Sequence, residues 1–315
     1  MEWRLGDLTL DLAQPVGAGI VNVTVDSMFE GARSGTPEQA IADGIGLVEA
    51  GFDMLDVGAV AARSGPPVTV EDECAALIPA IAGMAALRVG TDDFGDDGDG
   101  EESESGAPVP ISADTFQVEV ARRALDAGAC CVNDISGGCE EMFELVAERG
   151  CGYVLMHIEG PPRVDRPWRE YGDVVAHLVG WFEERVERMR ELGVGEAQIA
   201  IDPGLDFDLS PEQDLEIMRR LEELKALGLP LYVSLSRKDF IGAVLAGSWE
   251  ERLPAGEREW GTVAATTLAV RAGADILRIH DRSSLQAMRL AGAVRPSAVP
   301  YSRQVGVRNS GRGRG

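Results

Sequence analysis

The sequence is poor in several things, and each shortage excludes something. Among its 315 residues lysine occurs twice, at Lys225 and Lys238, and histidine three times, at His157, His177 and His280. Acidic residues outnumber basic ones 53 to 29, for a net charge of −24. A field of that sign repels nucleic acid and anionic membrane, so neither is expected as a partner. It would also repel an anionic substrate unless cations gather at the site. No apolar run is long enough to span a bilayer. The opening MEWRLGDLTLDLAQP lacks the basic-then-apolar order of a secretory signal, and the expected location is the cytoplasm. The cysteines, Cys74, Cys130, Cys131, Cys139 and Cys151, are odd in number and form no CxxC. That argues against a disulfide framework and against a structural zinc site. Neither GxGxxG nor GxSxG occurs, so the dinucleotide fingerprint and the serine-hydrolase elbow are missing.

What the chain does have is a rhythm. Short apolar runs at 16–23, 54–58, 108–114, 130–135, 153–158, 199–202, 231–236 and 276–280 read as strands. Helical stretches at 36–50, 70–86, 117–127, 139–149, 171–192, 210–227, 257–272 and 283–294 alternate with them. Thr36-Pro37-Glu38 and Ser210-Pro211-Glu212 supply N-caps with proline at the first helical position. Glycines at 51, 128, 150, 193, 228 and 273 close helices. Apolar strands separated by helices pair in parallel, and eight such units match a single-domain α/β protein, a (β/α)8 TIM barrel, over 16–294. A doubly wound open sheet is the runner-up. Residues 92–105 are Asp, Glu, Gly and Ser with almost nothing to bury, and are expected to be a disordered acidic insertion. Residues 1–15 read as an N-terminal extension and 295–315 as a frayed basic tail.

The strand ends carry the chemistry. In order they are Asn22, Asp56, Asp114, Asn133, His157, Asp202, Ser236-Arg237-Lys238, and Arg278 with His280. Barrel enzymes do their work at that face. One polar strand end is ordinary turn chemistry; eight in a row are not. Asp114, Asn133 and Asp202 offer acceptors and one amide, which suits the N–H edge of a flat nitrogen heterocycle such as a pterin or purine. Lys238, Arg278 and His280 come from the last two strands, where barrels often bind phosphate, and Arg63 could join them from the loop after strand two. Lys225 reads as a solvated residue on a helix, and His177 on the long helix as structural. His157 and His280 with a carboxylate could hold zinc, but the spacing is weak support. Magnesium held by one amide oxygen and substrate phosphates is the stronger expectation.

The motifs GIVNVTVDS (19–27), LDVG (55–58), VPISADTFQVEVARRAL (109–125), VNDISGG (132–138), VLMHIEG (154–160), IDPGLDF (201–207), SLSRKDFIG (234–242), GTVAATTLAV (261–270) and LRIHD (277–281) run in order over nearly all of 16–294. Together they resemble the dihydropteroate synthase family. The resemblance implies a homodimeric pterin-binding barrel that joins p-aminobenzoate to 6-hydroxymethyl-7,8-dihydropterin diphosphate with magnesium. By motif it implies that Asp114, Asn133 and Asp202 hold the pterin and that Lys238 lies against it. Arg63, Arg278 and His280 would bind diphosphate, with Lys238 and Arg63 as the catalytic pair. Phe207 and Ser236 would line the p-aminobenzoate pocket, and Asn22 would contact the metal.

The chain also departs from the pattern. The family's GGESTRPG loop reads GAVAARSGP (58–66), with Val60, Ala61 and Ala62 for Glu, Ser and Thr. Its GFGK reads DFDL, with Asp206 and Asp208 for glycines and Leu209 for lysine, and Ser234 replaces a common glycine. The sequence leaves two other readings open. One is a non-catalytic pterin-binding paralogue, favoured by the altered loops. The other is a methyltransferase of the same class, moving methyl from a reduced folate to a corrinoid protein. It has no need of the cations in SRK and RIHD.

Overall fold

The computed structural model describes residues 1–23, 35–62, 65–90, 106–164, 166–294 and 307–309. The chain opens with a hairpin, β1 (Glu2–Leu5) and β2 (Leu8–Asp11), turned at Gly6. The barrel strands are β3 (Val16–Asn22), β4 (Met54–Gly58), β7 (Ile111–Asp114), β8 (Cys131–Asp134), β9 (Gly152–Met156), β10 (Ile199–Asp202), β11 (Tyr232–Ser234) and β12 (Ile276–Ile279). Before β7 lies a small antiparallel pair, β5 (Arg88–Gly90) and β6 (Gly106–Pro108). The helices are α1 (Pro37–Glu49), α2 (Val70–Met84), α3 (Val118–Asp126), α4 (Glu140–Arg149), α5 (Val174–Glu191), α6 (Pro211–Arg219), α7 (Leu221–Lys225), α8 (Asp239–Ala246), α9 (Glu259–Arg271) and α10 (Arg282–Ala293).

Every neighbour in the eight-stranded sheet is parallel, in the order β10-β9-β8-β7-β4-β3-β12-β11. Ile201 bridges in parallel to Leu231, joining the two ends, so the sheet curls into the expected (β/α)8 barrel. Local chemistry starts the helices as read. The Thr36 hydroxyl accepts from Gln39 N at 3.3 Å, and Ser210 forms a reciprocal capping box with Gln213.

Some readings are corrected. The strand read over 108–114 is interrupted, because Pro108 and Pro110 donate nothing to a ladder and β7 starts only at Ile111. The helix read over 210–227 breaks at Arg220 (φ −119°, ψ 22°) into α6 and α7. Lys225 is no solvated side chain. It pairs with the buried Asp275 and donates to the Leu229 carbonyl at 3.4 Å. The acidic segment 92–105 lies outside the described residues, and of the basic tail only Val307–Asn309 is described, as a third strand antiparallel to β2.

The hairpin plugs the N-terminal end of the barrel. Trp3, Leu5 and Leu10 are fully buried against the barrel-lining Ala18, Met54, Cys131, Val154, Ala200, Tyr232 and Ile276. Gly152 makes room for the plug, since a Cβ would lie 2.2 Å from Leu5 Cδ2 and displace that buried side chain. Trp3 Nε1 donates to the Gln198 carbonyl at 2.9 Å, which ties the plug to the entry of β10. With one end closed by apolar packing, the polar strand ends are left at the other. Among the described residues, no helix is long and apolar enough to cross a membrane.

Candidate active site

The C-terminal mouth is organised by a buried ion network. Asp56, in the middle of β4, is fully buried. It accepts from Arg278 Nε and from Asn133 Nδ2, the latter at 3.2 and 3.3 Å to its two oxygens. Arg278 Nη2 donates to Asp114 Oδ2 at 2.8 Å. One guanidinium thus spans two carboxylates on neighbouring strands. Burial works against the charge of Arg278, but Asp56 and Asp114 outweigh it and hold the group above the ordinary arginine range. Asp114 is pushed up by burial, with the nearby Asp56 charge adding and Arg278 opposing.

Asp202 faces this network from β10. Its oxygens accept from Gly204 N at 2.8 Å and Ser234 Oγ at 3.0 Å. Burial raises its pKa in spite of those bonds and of Lys238. Gly204 has φ +71°, and a Cβ would meet the His157 carbonyl oxygen at 2.1 Å, so only glycine allows this close approach. The Asn133 loop is held from behind, where Asp134 accepts from Tyr153 Oη at 2.8 Å and Ser136 N at 2.7 Å.

The segment after β11 presents Ser236 and Lys238 but withdraws Arg237. Arg237 has a left-handed φ of 57°. Its guanidinium turns to Asp281 (2.8 Å) and the Ala255 carbonyl (2.9 Å). Lys238 Nζ donates to the Leu205 carbonyl at 2.9 Å and lies 4.6 Å from the centre of the Phe207 ring. Ser236 Oγ accepts from His280 N at 3.2 Å and meets His280 Nδ1 at 2.7 Å. Burial, then Arg278, Arg237 and Lys238, push the imidazole down to about 3. His280 is therefore a neutral hydrogen-bonding group at physiological pH, and not the cation read from the sequence. Phe207, Phe116 and Ala62 pack on Ile135, Met156 and Ile158, giving the mouth one apolar wall.

The family matched is described as pterin binding enzyme, over residues 18–92 and 101–280. The dihydropteroate synthase of Synechocystis is 36% identical over 280 residues, covering 88% of this chain and 89% of that protein. The chain belongs to the dihydropteroate synthase family. A solved dihydropteroate synthase from Xanthomonas albilineans, in complex with 7,8-dihydropteroate, is 32% identical with a TM-score of 0.72, covering 93% of this chain and 96% of that one. An inactive dihydropteroate synthase 2 from Mycobacterium leprae is 36% identical over 268 residues, covering 83% of this chain and 84% of that protein.

Of the residues named from the resemblance to dihydropteroate synthase, Asp114, Asn133, Asp202 and Arg278 lie in the last two residues of barrel strands, and Phe207, Ser236, Lys238 and His280 in the segments that follow strands, all at this one face. Asn22 is the half-buried last residue of β3. Arg63 lies outside the described residues, as does most of the first loop (24–34). His157 and His280 are not brought together as zinc ligands; His157 groups with Glu159 and His177.

Two features carry no role in the sequence pattern. Asp56 is one of the polar strand residues and anchors the whole network. Asp206 is the second. It has a left-handed φ of 67°, and its carboxylate accepts from the first backbone N–H groups of α8, Asp239 and Phe240, the latter at 2.9 Å. Asp208 pairs with Arg166 from the segment after β9, and Leu209 is buried. Asp206 and Asp208, where the chain leaves the dihydropteroate synthase pattern, are thus bonded into neighbouring elements.

Proposed function

We propose that the chain condenses 6-hydroxymethyl-7,8-dihydropterin diphosphate with p-aminobenzoate, giving 7,8-dihydropteroate and diphosphate. The observation that carries this reading is the convergence of Asp114, Asn133 and Asp202 with Lys238 and Arg278 at one barrel mouth, in a member of this family. The carboxylates and the amide face the N–H edge of the pterin. Arg278 reaches diphosphate oxygens, and His280 adds a neutral donor. Lys238, above the Phe207 ring, lies between the pterin and the arylamine. Phe207 and Ser236 form the p-aminobenzoate side, and Arg63 completes the anion site. No protein nucleophile is needed. The C–O bond to diphosphate breaks, the pterin methylene becomes cationic, and the arylamine nitrogen attacks it and loses a proton.

Magnesium fits the donors at hand. Asp56 and Asp114 are engaged by Arg278, which leaves the Asn22 side-chain oxygen as the hard ligand on β3. Asn22 and the diphosphate would hold the ion, which supplies charge neutralisation to the leaving group.

A homodimer accords with an exposed apolar face. Val244 and Leu245 of α8, Trp260 and Leu268 of α9, and Leu290 of α10 are all exposed. A cytoplasmic location accords with five free cysteines.

The reading is tested by complementation of a strain that lacks its own dihydropteroate synthase. Growth without folate end products is expected. A second reading, a non-catalytic pterin-binding member, is favoured by the inactive relative and by the bonded Asp206–Leu209 segment. It predicts no growth, with dihydropterin diphosphate still bound in calorimetry.

A further inference from the structure

Outside the mouth, the segment after β9 carries a group of side chains that the proposed reaction does not use. His157, Glu159 and His177 place one ligand atom each within 4.8 Å of one another. His177 Nε2 lies 2.7 Å from Glu159 Oε1, and His157 Nε2 lies 3.8 Å from the same oxygen. The second separation is too long for a hydrogen bond. Metal–ligand distances of about 2.0–2.1 Å in a tetrahedral site put ligand atoms about 3.3 Å apart, so both gaps need only small adjustment.

His157 is the telling member. It is 1% exposed, and neither ring nitrogen has a hydrogen-bond partner. A buried imidazole with both its donor and its acceptor unused costs stability, and native interiors avoid it. The ring is not free to turn away, because Trp181 packs edge-on at 4.9 Å and His177 at 5.7 Å. Burial also keeps it neutral, the state in which imidazole ligates. On the far side Tyr171 packs against His177 at 4.6 Å, the rings tilted by 43°, and restrains that ring in turn. Arg169 Nη1 holds the other Glu159 oxygen at 3.2 Å, the outer-sphere partner a ligating carboxylate commonly has.

We propose that His157, Glu159 and His177 form a three-ligand site for a zinc-class divalent cation, with a fourth position open to water, which pins the segment after β9 to the first turn of α5. Two imidazoles and one carboxylate are a borderline donor set that favours zinc over magnesium, which wants oxygen ligands. Arg169 and the N-terminal end of α5 oppose a cation. Arg169 is more than half exposed and can move to water, so the ligand bonds prevail. The ion would act on the mouth through the backbone. His157 N donates to the Asp202 carbonyl at 2.8 Å, and Arg166 in the same segment holds Asp208. It would therefore steady the p-aminobenzoate wall without touching the reacting atoms. The site is distinct from Asn22, and the inference does not depend on turnover.

The experiment is zinc binding to the full-length protein, with magnesium present in excess throughout. Metal-free protein is titrated with Zn2+ in a calorimeter and its melting temperature is read with and without the ion. Co2+ serves as the visible probe of tetrahedral nitrogen–oxygen ligation. A single equivalent and a raised melting temperature are expected. Outer-sphere partners are worth about 10–100-fold in metal affinity, so removing a ligand in His177→Ala or Glu159→Gln should weaken binding by more than ~100-fold. Both side chains are partly exposed, so the metal-free variants should melt close to the parent. Cys139→Ser, which removes the exposed cysteine, should bind as the parent does. A parent that takes up no zinc, or variants that bind it equally well, would overturn the proposal.

Discussion

Replacing Asp206 by glycine, the residue usual in the family, should destabilise this chain. The carboxylate receives the N–H groups of Asp239 and Phe240 at the start of α8, and its own N–H donates to Asp214 Oδ1 at 3.1 Å. Two hydrogen bonds to a charged group are worth about 1.5–3 kcal/mol each, or about 3–6 kcal/mol gross. Two terms offset this. Glycine relieves the left-handed backbone at φ 67°, worth about 1–2 kcal/mol. It also removes a neighbouring charge from Asp214, which burial first and Asp206 second push well above the usual carboxylate range. The net loss is about 2 kcal/mol, which for 315 residues is roughly 3 °C in melting temperature. Asp206→Asn keeps one acceptor oxygen and should lose about half as much. The assay is equilibrium urea unfolding followed by far-UV dichroism. Because Lys238 is the N-cap residue of α8, the glycine variant should also raise KM for the arylamine. An Asp206→Gly protein that unfolds at the same or higher urea concentration would refute the reasoning.

Other expectations follow from the same geometry. His280 titrates at about 3 in the fold against 6.5 ordinarily. Between those values the unfolded chain binds the extra proton, so stability falls as pH drops below 6.5. The loss reaches about 2 kcal/mol by pH 5. His280→Gln should remove that part of the acid sensitivity, read from unfolding midpoints at pH 7 and 5. Trp3→Ala opens a hole in the plug and frees the Gln198 carbonyl, at a cost of about 3–5 kcal/mol. It should lower the melting temperature while leaving KM for both substrates unchanged, because the plug sits at the opposite end from the mouth.

Much of the architecture was legible because the barrel strands are short apolar runs that end in polar residues. Parallel pairing then forces those ends onto one face, so the sequence alone collects Asp114, Asn133, Asp202 and Arg278. What escaped has physical reasons. The hairpin shows strict alternation in EWRLGDLTLD around Gly6-Asp7, a period-2 signal too short to stand out from an N-terminal extension. Helix α8 lies in DFIGAVLAG, apolar on nearly every side, so no amphipathic period marks it. The withdrawal of Arg237 depends on one left-handed residue, and no composition rule assigns that φ to arginine. The neutral state of His280 comes first from burial and then from Arg278, Arg237 and Lys238 around it, which only the folded chain assembles. Glu159 and His177 are 18 residues apart and meet because α5 folds back over the end of β9.

The central claim is that a ring site and an anion site share this mouth and together make dihydropteroate. Its most direct test is diphosphate release by the purified chain with dihydropterin diphosphate, p-aminobenzoate and magnesium, run beside Lys238→Ala. The account predicts stoichiometric diphosphate and dihydropteroate from the parent, and a loss of at least about 100-fold in kcat for the variant, roughly 2.7 kcal/mol of barrel-mouth stabilisation of the transition state. A parent that binds the pterin but releases no diphosphate, or a variant that turns over at the parent's rate, would contradict it.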